Sequence, residues 1–299
     1  MKWQGVMPAI TTPFRADLSV DAELLVKQID ALVQAGCTGM VALGSLGEGG
    51  SLSFDEKKAV LRLCREALKR RAALVAGVAA LTTAEARRLA ELGAEAGCDG
   101  LMVLPPYVYK GDWRETRAHF AAVISVTPLP CMLYNNPIAY GTDVLPEQLR
   151  ALADALPNLV AVKESSADVR RVTAIRSLCG ERLAVLVGVD DAIVEGVAAG
   201  AVGWIAGLAD ALPQESVRLF ELASAGRTAE ARALYDWFLP LLRLDTVPKF
   251  VQLIKLVQQE TGLGSEAVRP PRLPLEGAER DEALALVRDA LARRPTTLG

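Results

Sequence analysis

Short apolar runs recur along the chain at roughly 25-residue intervals, the length of one strand-plus-helix unit. Read as strands, they cover residues 5–13, 38–45, 72–80, 100–106, 130–137, 159–166, 182–190 and 203–208. Between them lie amphipathic stretches such as DAELLVKQIDALVQAG and SFDEKKAVLRLCREALKR, with apolar residues three and four apart and glycines at several ends, as helix C-termini prefer. Near-continuous apolar strands separated by helices imply a parallel sheet covered by helices on one side, and eight units predict a closed (β/α)8 barrel of the TIM type. After Leu208 the alternation stops, and helices are predicted over 214–225, 228–244, 247–261 and 279–293, the last set off by the proline-rich VRPPRLPL. The expected organisation is a catalytic barrel over 1–226 and a helical C-terminal extension over 227–299.

Composition narrows the function classes. The chain has 299 residues, 51% hydrophobic, enough to bury a large core. A formal net charge of −3, with no basic block longer than Lys69-Arg70-Arg71, argues against nucleic-acid partners. No secretory h-region opens the sequence and no run of about 18 apolar residues occurs in it, which predicts a soluble, cytoplasmic protein without a membrane partner. Five cysteines without CxxC spacing suit buried, reduced thiols. The single histidine, His119, removes most His-ligated metal sites, and its charged run WRETRAHF predicts a surface position.

The chemistry sits at the strand ends, where a barrel of this kind builds its active site. In LVAVKESS, alternation puts Leu159, Ala161, Lys163 and Ser165 on one face and Val160, Val162 and Glu164 on the other. Burial of Lys163 would disfavour the ammonium and leave a neutral, nucleophilic amine. The plain alternative is a solvated strand terminus that snorkels to water. Other strand ends carry Gly44-Ser45-Leu46-Gly47-Glu48, Pro105-Pro106-Tyr107, Tyr134-Asn135-Asn136-Pro137 and Gly188-Val189-Asp190-Asp191. Each also has an ordinary reading: GSLGE as a tight turn, Tyr134 as a packed aromatic, Asp190 and Asp191 as helix caps. On adjacent strands, Tyr134 and Lys163 come within reach of one another, so a phenol can move protons around an imine formed on the amine. The amides of GSLGE, at a helix N-terminus, suit a carboxylate. Together these features point to a 2-oxo acid, or its cyclic imine, joined to Lys163 through carbon 2.

With these motifs in view, from PAITTPF at Pro8 through the helical tail, the sequence resembles the lysine-dependent aldolases and lyases of the dihydrodipicolinate synthase and N-acetylneuraminate lyase family. The resemblance implies Lys163 as the Schiff-base lysine, Tyr134 as its proton shuttle, and Ser45 and Tyr107 as hydroxyls that extend the relay, with Tyr107 serving a neighbouring subunit. It implies that Gly44, Ser45 and Leu46 hold the substrate carboxylate while Gly188 and Ile205 line the pocket. It also implies a homotetramer built as a dimer of dimers, a small-molecule substrate, and no metal or organic cofactor.

Departures from the family pattern narrow the substrate. The synthase proper carries an arginine after its YNxP motif for a second carboxylate, whereas Ile138-Ala139-Tyr140-Gly141 has no cation, which argues against synthase activity. Leu46 stands where many members have a hydroxyl, which makes the pocket beside Ser45 drier. GSLGE, YNNP with Tyr140, KESSADVRRV and GWIAGL together resemble most the branch that deaminates 1-pyrroline-4-hydroxy-2-carboxylate. The rivals are an aldolase or dehydratase on a 2-keto-3-deoxy sugar acid or 4-hydroxy-2-oxoglutarate, the synthase itself, and a non-enzymatic ligand-binding barrel.

Overall fold

The apolar runs pair as one parallel sheet in the computed structural model, which describes residues 1–295. Its strands are β1 (Gly5–Pro8), β2 (Gly39–Ala42), β3 (Ala73–Val78), β4 (Gly100–Val103), β5 (Cys131–Asn135), β6 (Leu159–Glu164), β7 (Ala184–Val187) and β8 (Gly203–Ala206). Neighbours follow chain order from β2 to β8, and β8 pairs with β1. A parallel bridge between Ala9 and Val41, with Ile10 N donating to Val41 O at 3.0 Å, brings the two ends together, so the barrel is nearly closed. Burial explains the choice of residues: every residue of β2, β4, β5 and β8 is buried, leaving no face that needs to be polar.

Eight helices precede the last barrel segment: α1 (Ala22–Gln34), α2 (Phe54–Leu68), α3 (Thr83–Glu95), α4 (Trp113–Ile124), α5 (Pro137–Tyr140), α6 (Pro146–Ala155), α7 (Arg170–Cys179) and α8 (Ile193–Ala198). Local chemistry fixes several starts. Ser53 and Glu56 form a reciprocal capping box on α2, and Asp112 and Glu115 do the same on α4. Gly36 and Gly97, just after α1 and α3, take the left-handed φ that ends a helix. Four more helices follow: α9 (Pro213–Ser224), α10 (Thr228–Leu242), α11 (Phe250–Glu260) and α12 (Gly277–Ala292). The last four residues of the expected extension lie outside the described residues.

The strands are shorter than the apolar runs. Residues 43–45 and 207–208 leave the ladder and form loops at the carboxyl ends of β2 and β8, where side chains turn inward over the barrel. His119 corrects its expected surface position: it is 4% exposed, with Nδ1 3.0 Å from Thr83 Oγ1 and Nε2 3.3 Å from Leu104 O. Its helix turns Thr116, His119, Phe120 and Val123 inward together, and burial holds the imidazole below its usual pKa. All five cysteines are free and buried, and burial pushes Cys64 and Cys131 up to about 12.

The tail packs as part of the barrel's core. Leu234, Phe238, Leu241, Val251, Ile254 and Val257 join the same apolar cluster as the strands. A charged contact accompanies them: Lys255 of α11 places Nζ 2.5 Å from Glu48 Oε1, and neither side chain is exposed. The amine also donates to Ala267 O at 2.7 Å and lies 4.4 Å from the Phe14 ring centroid, while Glu48 Oε2 accepts from Arg269 N at 3.0 Å.

Removing one partner of such a pair strands a charge without water. Lys255→Met should therefore cost about 3–5 kcal/mol of unfolding free energy in urea titrations. Adding Glu48→Gln should recover part of that loss. Equal stability of Lys255→Met and the parent would show that the pair does not hold the tail to the β2 loop.

Candidate active site

Alternation along β6 decides which way the lysine points. Lys163 turns into the barrel and is 7% exposed. Glu164 turns outward, its carboxylate accepting from Asn135 Nδ2 at 3.1 Å and Ser166 N at 2.8 Å, and burial raises its pKa. In the β5–β6 register Tyr134 lies directly opposite Lys163. Lys163 Nζ sits 4.1 Å from the centroid of the Tyr134 ring, itself 6% exposed, so amine and phenol share one dry compartment. The snorkelling alternative does not hold: the amine stays inside the barrel.

The wall beside the lysine is glycine for a steric reason. A Cβ on Gly188, just after β7, would lie 2.5 Å from Lys163 Cε and 2.7 Å from Cγ, and would strike Ser165 Oγ. Gly188 therefore packs against the lysine stem, and Ile205 on β8 is 1% exposed, beside Met7 of β1 in register. Ser165 Oγ is buried without a hydrogen-bond partner, as an interior hydroxyl rarely is.

The β2 loop supplies the opposite side. Leu43 and Glu48 take left-handed φ, and the turn closes through Glu48 N to Ser45 O and Gly49 N to Gly44 O, each 3.1 Å. The amides of Ser45 and Leu46 are not used in that closure, and Thr12 Oγ1 ties the loop to the end of β1 by donating to Gly47 O at 2.6 Å. Leu46 is buried at 3% exposure, so the surface beside Ser45 is apolar.

The hydroxyls are arranged differently from the expected relay. Ser45 Oγ bonds to Tyr140, a residue noted in the sequence only as a neighbour of YNNP. Tyr140 ends α5, a single turn capped by Asn136 Oδ1 accepting from Ala139 N at 3.0 Å, and this turn bends the ring back over the barrel. Its ring centroid lies 5.4 Å from that of Tyr107 and 5.7 Å, edge-on, from that of Tyr134. Within the chain Tyr107 interacts with Ser45 and Tyr140, and Val108 and Tyr109 of the same loop are exposed. Burial raises both Tyr107 and Tyr140 above the ordinary phenol range, which keeps them protonated and able to donate. Tyr134 takes its hydrogen bond from Asn136 Nδ2 at 3.0 Å, not from Ser45.

Acids cluster on the far wall. Asp190 is fully buried and accepts from Trp204 Nε1 at 2.9 Å, Gly207 N at 3.1 Å and Leu208 N at 2.7 Å, so it braces the β8 loop instead of capping α8. Burial outweighs those bonds and pushes it up to about 6. Asp245, from the turn between α10 and α11, packs its carboxyl on Gly207. The end of the exposed Lys110 side chain rests on Gly141, although 138–141 has no cation of its own. Among the described residues, no group of three or more His, Cys, Asp or Glu is placed to hold a metal ion, and no helix is long and apolar enough to cross a membrane.

Comparison with known proteins agrees with this architecture. The family model described as the dihydrodipicolinate synthetase family matches residues 2–290. The chain is 35% identical over 289 residues to the 4-hydroxy-tetrahydrodipicolinate synthase of Rhizobium meliloti (strain 1021), covering 96% of this chain and 98% of the relative. The same enzyme of Nitratidesulfovibrio vulgaris (strain DP4) is 32% identical over 295 residues, 98% of both chains. Among solved structures, the 4-hydroxy-tetrahydrodipicolinate synthase of Methylacidiphilum fumariolicum SolV superposes with a TM-score of 0.92 at 27% identity, covering 98% of each chain. A prophage protein of the dihydrodipicolinic acid synthase family from E. coli K12, solved with pyruvate, gives 0.91 at 28% identity over 97% of this chain and 99% of that one. Matched along nearly its whole length, the chain belongs to the dihydrodipicolinate synthetase family, whose members are lyases that work through a lysine Schiff base.

Proposed function

We propose that this enzyme deaminates 1-pyrroline-4-hydroxy-2-carboxylate to 2,5-dioxopentanoate and ammonia through a Schiff base on Lys163. The observation that carries the covalent step is the buried register pair of Lys163 and Tyr134, amine over phenol ring. The substrate carboxylate meets the Ser45 and Leu46 amides, and carbon 2 lies at Lys163 Nζ. The amine adds to the ring C=N, the ring nitrogen takes a proton, and its bond to carbon 2 breaks, leaving an imine on Lys163 and a free amine on carbon 5. The imine acidifies carbon 3; loss of a proton there and of the 4-hydroxyl as water gives a conjugated imine. Tautomerisation moves unsaturation to carbon 5, and two hydrolyses release ammonia and the product, one water being consumed overall. Tyr134, with its oxygen oriented by Asn136, is the group placed for these proton transfers, and the Ser45–Tyr140–Tyr107 hydroxyls extend the path.

The substrate assignment rests on Ala139 in place of an arginine and on buried Leu46, both of which suit a compact monocarboxylate. A second reading, synthase or aldolase action on a substrate with a second carboxylate, is favoured by the names of the relatives and by Lys110 on Gly141. Lys110 is exposed, however, and an ammonium in water holds a carboxylate weakly compared with a buried guanidinium fork. The family likeness also carries a homotetramer, consistent with the apolar rim of Val108, Tyr109 and Ile138, which are 88%, 57% and 72% exposed.

Incubation with pyruvate and borohydride should add the ligand's mass to the peptide carrying Lys163, and Lys163→Met should abolish labelling; an adduct elsewhere would remove the mechanism. Tyr134→Phe should lower kcat by about 10²–10⁴-fold with a smaller change in KM. Wild-type kcat/KM should favour the cyclic imine over 4-hydroxy-2-oxoglutarate by roughly a hundredfold, about 2.7 kcal/mol. Equal turnover, scored by ammonia and pyruvate release in parallel, would refute the substrate assignment and leave the lysine chemistry intact. Sedimentation should give a tetramer.

A further inference from the structure

Asp245 brings a tail carboxyl to the loop after β8, and its position follows from the sequence LRLDTVPKF, where a short 3-10 turn (Arg243–Thr246) breaks the path between α10 and α11. The carboxyl lies flat on Gly207, the residue that follows β8. A Cβ at 207 would collide with Oδ1 and come within 2.6 Å of Cγ, so glycine is what leaves room for it. The Gly207 amide donates to Asp190, and Gly188 on the adjoining strand end packs on Lys163 Cε at 2.5 Å from its Cβ position. The path from Asp245 to the lysine thus crosses two adjacent strand ends, both glycine.

Among the described residues Asp245 has no hydrogen bond and no ion pair. The nearest tail cation, Arg243, turns to Asp191 at 3.5 Å. Asp190, Asp210 and Asp191 act on Asp245 as like charges, and Lys163 acts on it as an opposite charge. Burial and those acids raise its pKa well above the ordinary carboxylate range. A carboxyl kept unpaired beside three others is costly, and that cost falls when a cation arrives. In the protonated imine the positive charge stays at the Lys163 nitrogen joined to carbon 2, so a cation farther along the substrate is an additional partner for this wall.

We propose that Asp245 is a specificity-determining residue that pairs with a cationic distal group of the substrate and disfavours a distal carboxylate. This rests on the reading above, in which ring opening frees an amine on carbon 5; protonated, that amine is the cation the wall accepts. The carboxylate end is held at the β2 loop, the reacting carbon at Lys163 and the ammonium at Asp245, so one substrate spans the mouth. A distal carboxylate would gain no opposite charge from these carboxyls and would make their ionisation costlier still.

The test uses borohydride trapping, which scores binding in the imine state and does not require turnover. Three probes differ at the distal end: 2-oxobutyrate is neutral, 2-oxoglutarate carries a carboxylate, and 5-amino-2-oxopentanoate, in equilibrium with its five-membered imine, carries an ammonium. Half-labelling concentrations by intact mass should rank amine below neutral below dicarboxylate in the wild type. Asp245→Asn should weaken the amine probe by about tenfold or more, leave 2-oxobutyrate within about threefold and strengthen 2-oxoglutarate. Gly207→Ala, whose backbone φ of −87° accepts a side chain, should displace the carboxyl and shift the ranking in the same direction, and it serves if the first variant fails to fold. An unchanged ranking, or a parallel loss on all three probes, would overturn the role. If the wild type labels Lys163 yet releases no ammonia from the hydroxylated cyclic imine, the substrate reading fails while the three-probe ranking still decides the case for Asp245.

Discussion

Glu48 and Lys255 are 207 residues apart in sequence and meet with no access to water. Their contact fixes more than a stability increment, because Glu48 closes the loop that holds Ser45 and Leu46. Its left-handed backbone is the last step of a turn in which Gly49 must also be bare: a Cβ there would run into Leu43 O. With Oε1 on Lys255 and Oε2 on Arg269 N, both oxygens of the carboxylate are bonded to the tail. The loop that carries the Ser45 and Leu46 amides is therefore positioned from behind by α11 and the proline-rich segment. A buried pair of this kind is weak evidence for net stability, since hydrophobic isosteres often do as well, but it is directional. Direction is what a loop of free amides needs.

Opposite that loop the barrel is electrostatically lopsided. Asp190, Asp210 and Asp245 gather around the β7–β8 ends, and Lys163 is an opposite charge that acts on Asp190 and Asp245. Asp190 is held by three donors and braces the turn after β8; Asp210 leaves Oδ2 unbonded, and burial with Asp190 nearby raises it well above its usual value. Carboxyls raised by burial gain charge only at a cost, so this side of the pocket is poised to answer a positive group and not a negative one. The hydroxyl side, with Ser45, Tyr107, Tyr134 and Tyr140, is neutral and proton-rich. The reacting amine lies between the two.

How much of this could be read from the chain depends on whether the relevant contact is periodic. The alternation in LVAVKESS gives the inward lysine, and parallel register across neighbouring strands gives Tyr134 beside it. Gly188 and Leu46 follow from their places at strand ends. Tyr140 does not, because its ring reaches Ser45 only after Asn136 and Pro137 wind one turn of helix and Gly141 ends it. The packing of Tyr107 on Tyr140 is equally non-local, since the two residues come from loops after different strands. His119 was legible in principle: Thr116, His119, Phe120 and Val123 share one helical stripe, and the charged residues around it drew attention from that phase. Lys255 in FVQLIKLV looks like a snorkelling residue on an apolar helix, and nothing local names Glu48 as its partner.

The tail is where those non-local contacts converge. The strand ends alone assemble an amine, a phenol and free amides, which is sufficient for imine chemistry on any small 2-oxo acid. The tail supplies the two things that imine chemistry leaves open: Lys255 sets where the carboxylate loop sits, and Asp245 sets the charge met by whatever lies beyond carbon 3. Both come from α11 or the turn before it, so a change in how that short segment seats on Gly207 and Glu48 would alter substrate position and distal charge together without touching Lys163 or Tyr134. By that route the tail acts on the surroundings of the site, whereas the Lys163–Tyr134 pair is fixed by the β5–β6 register.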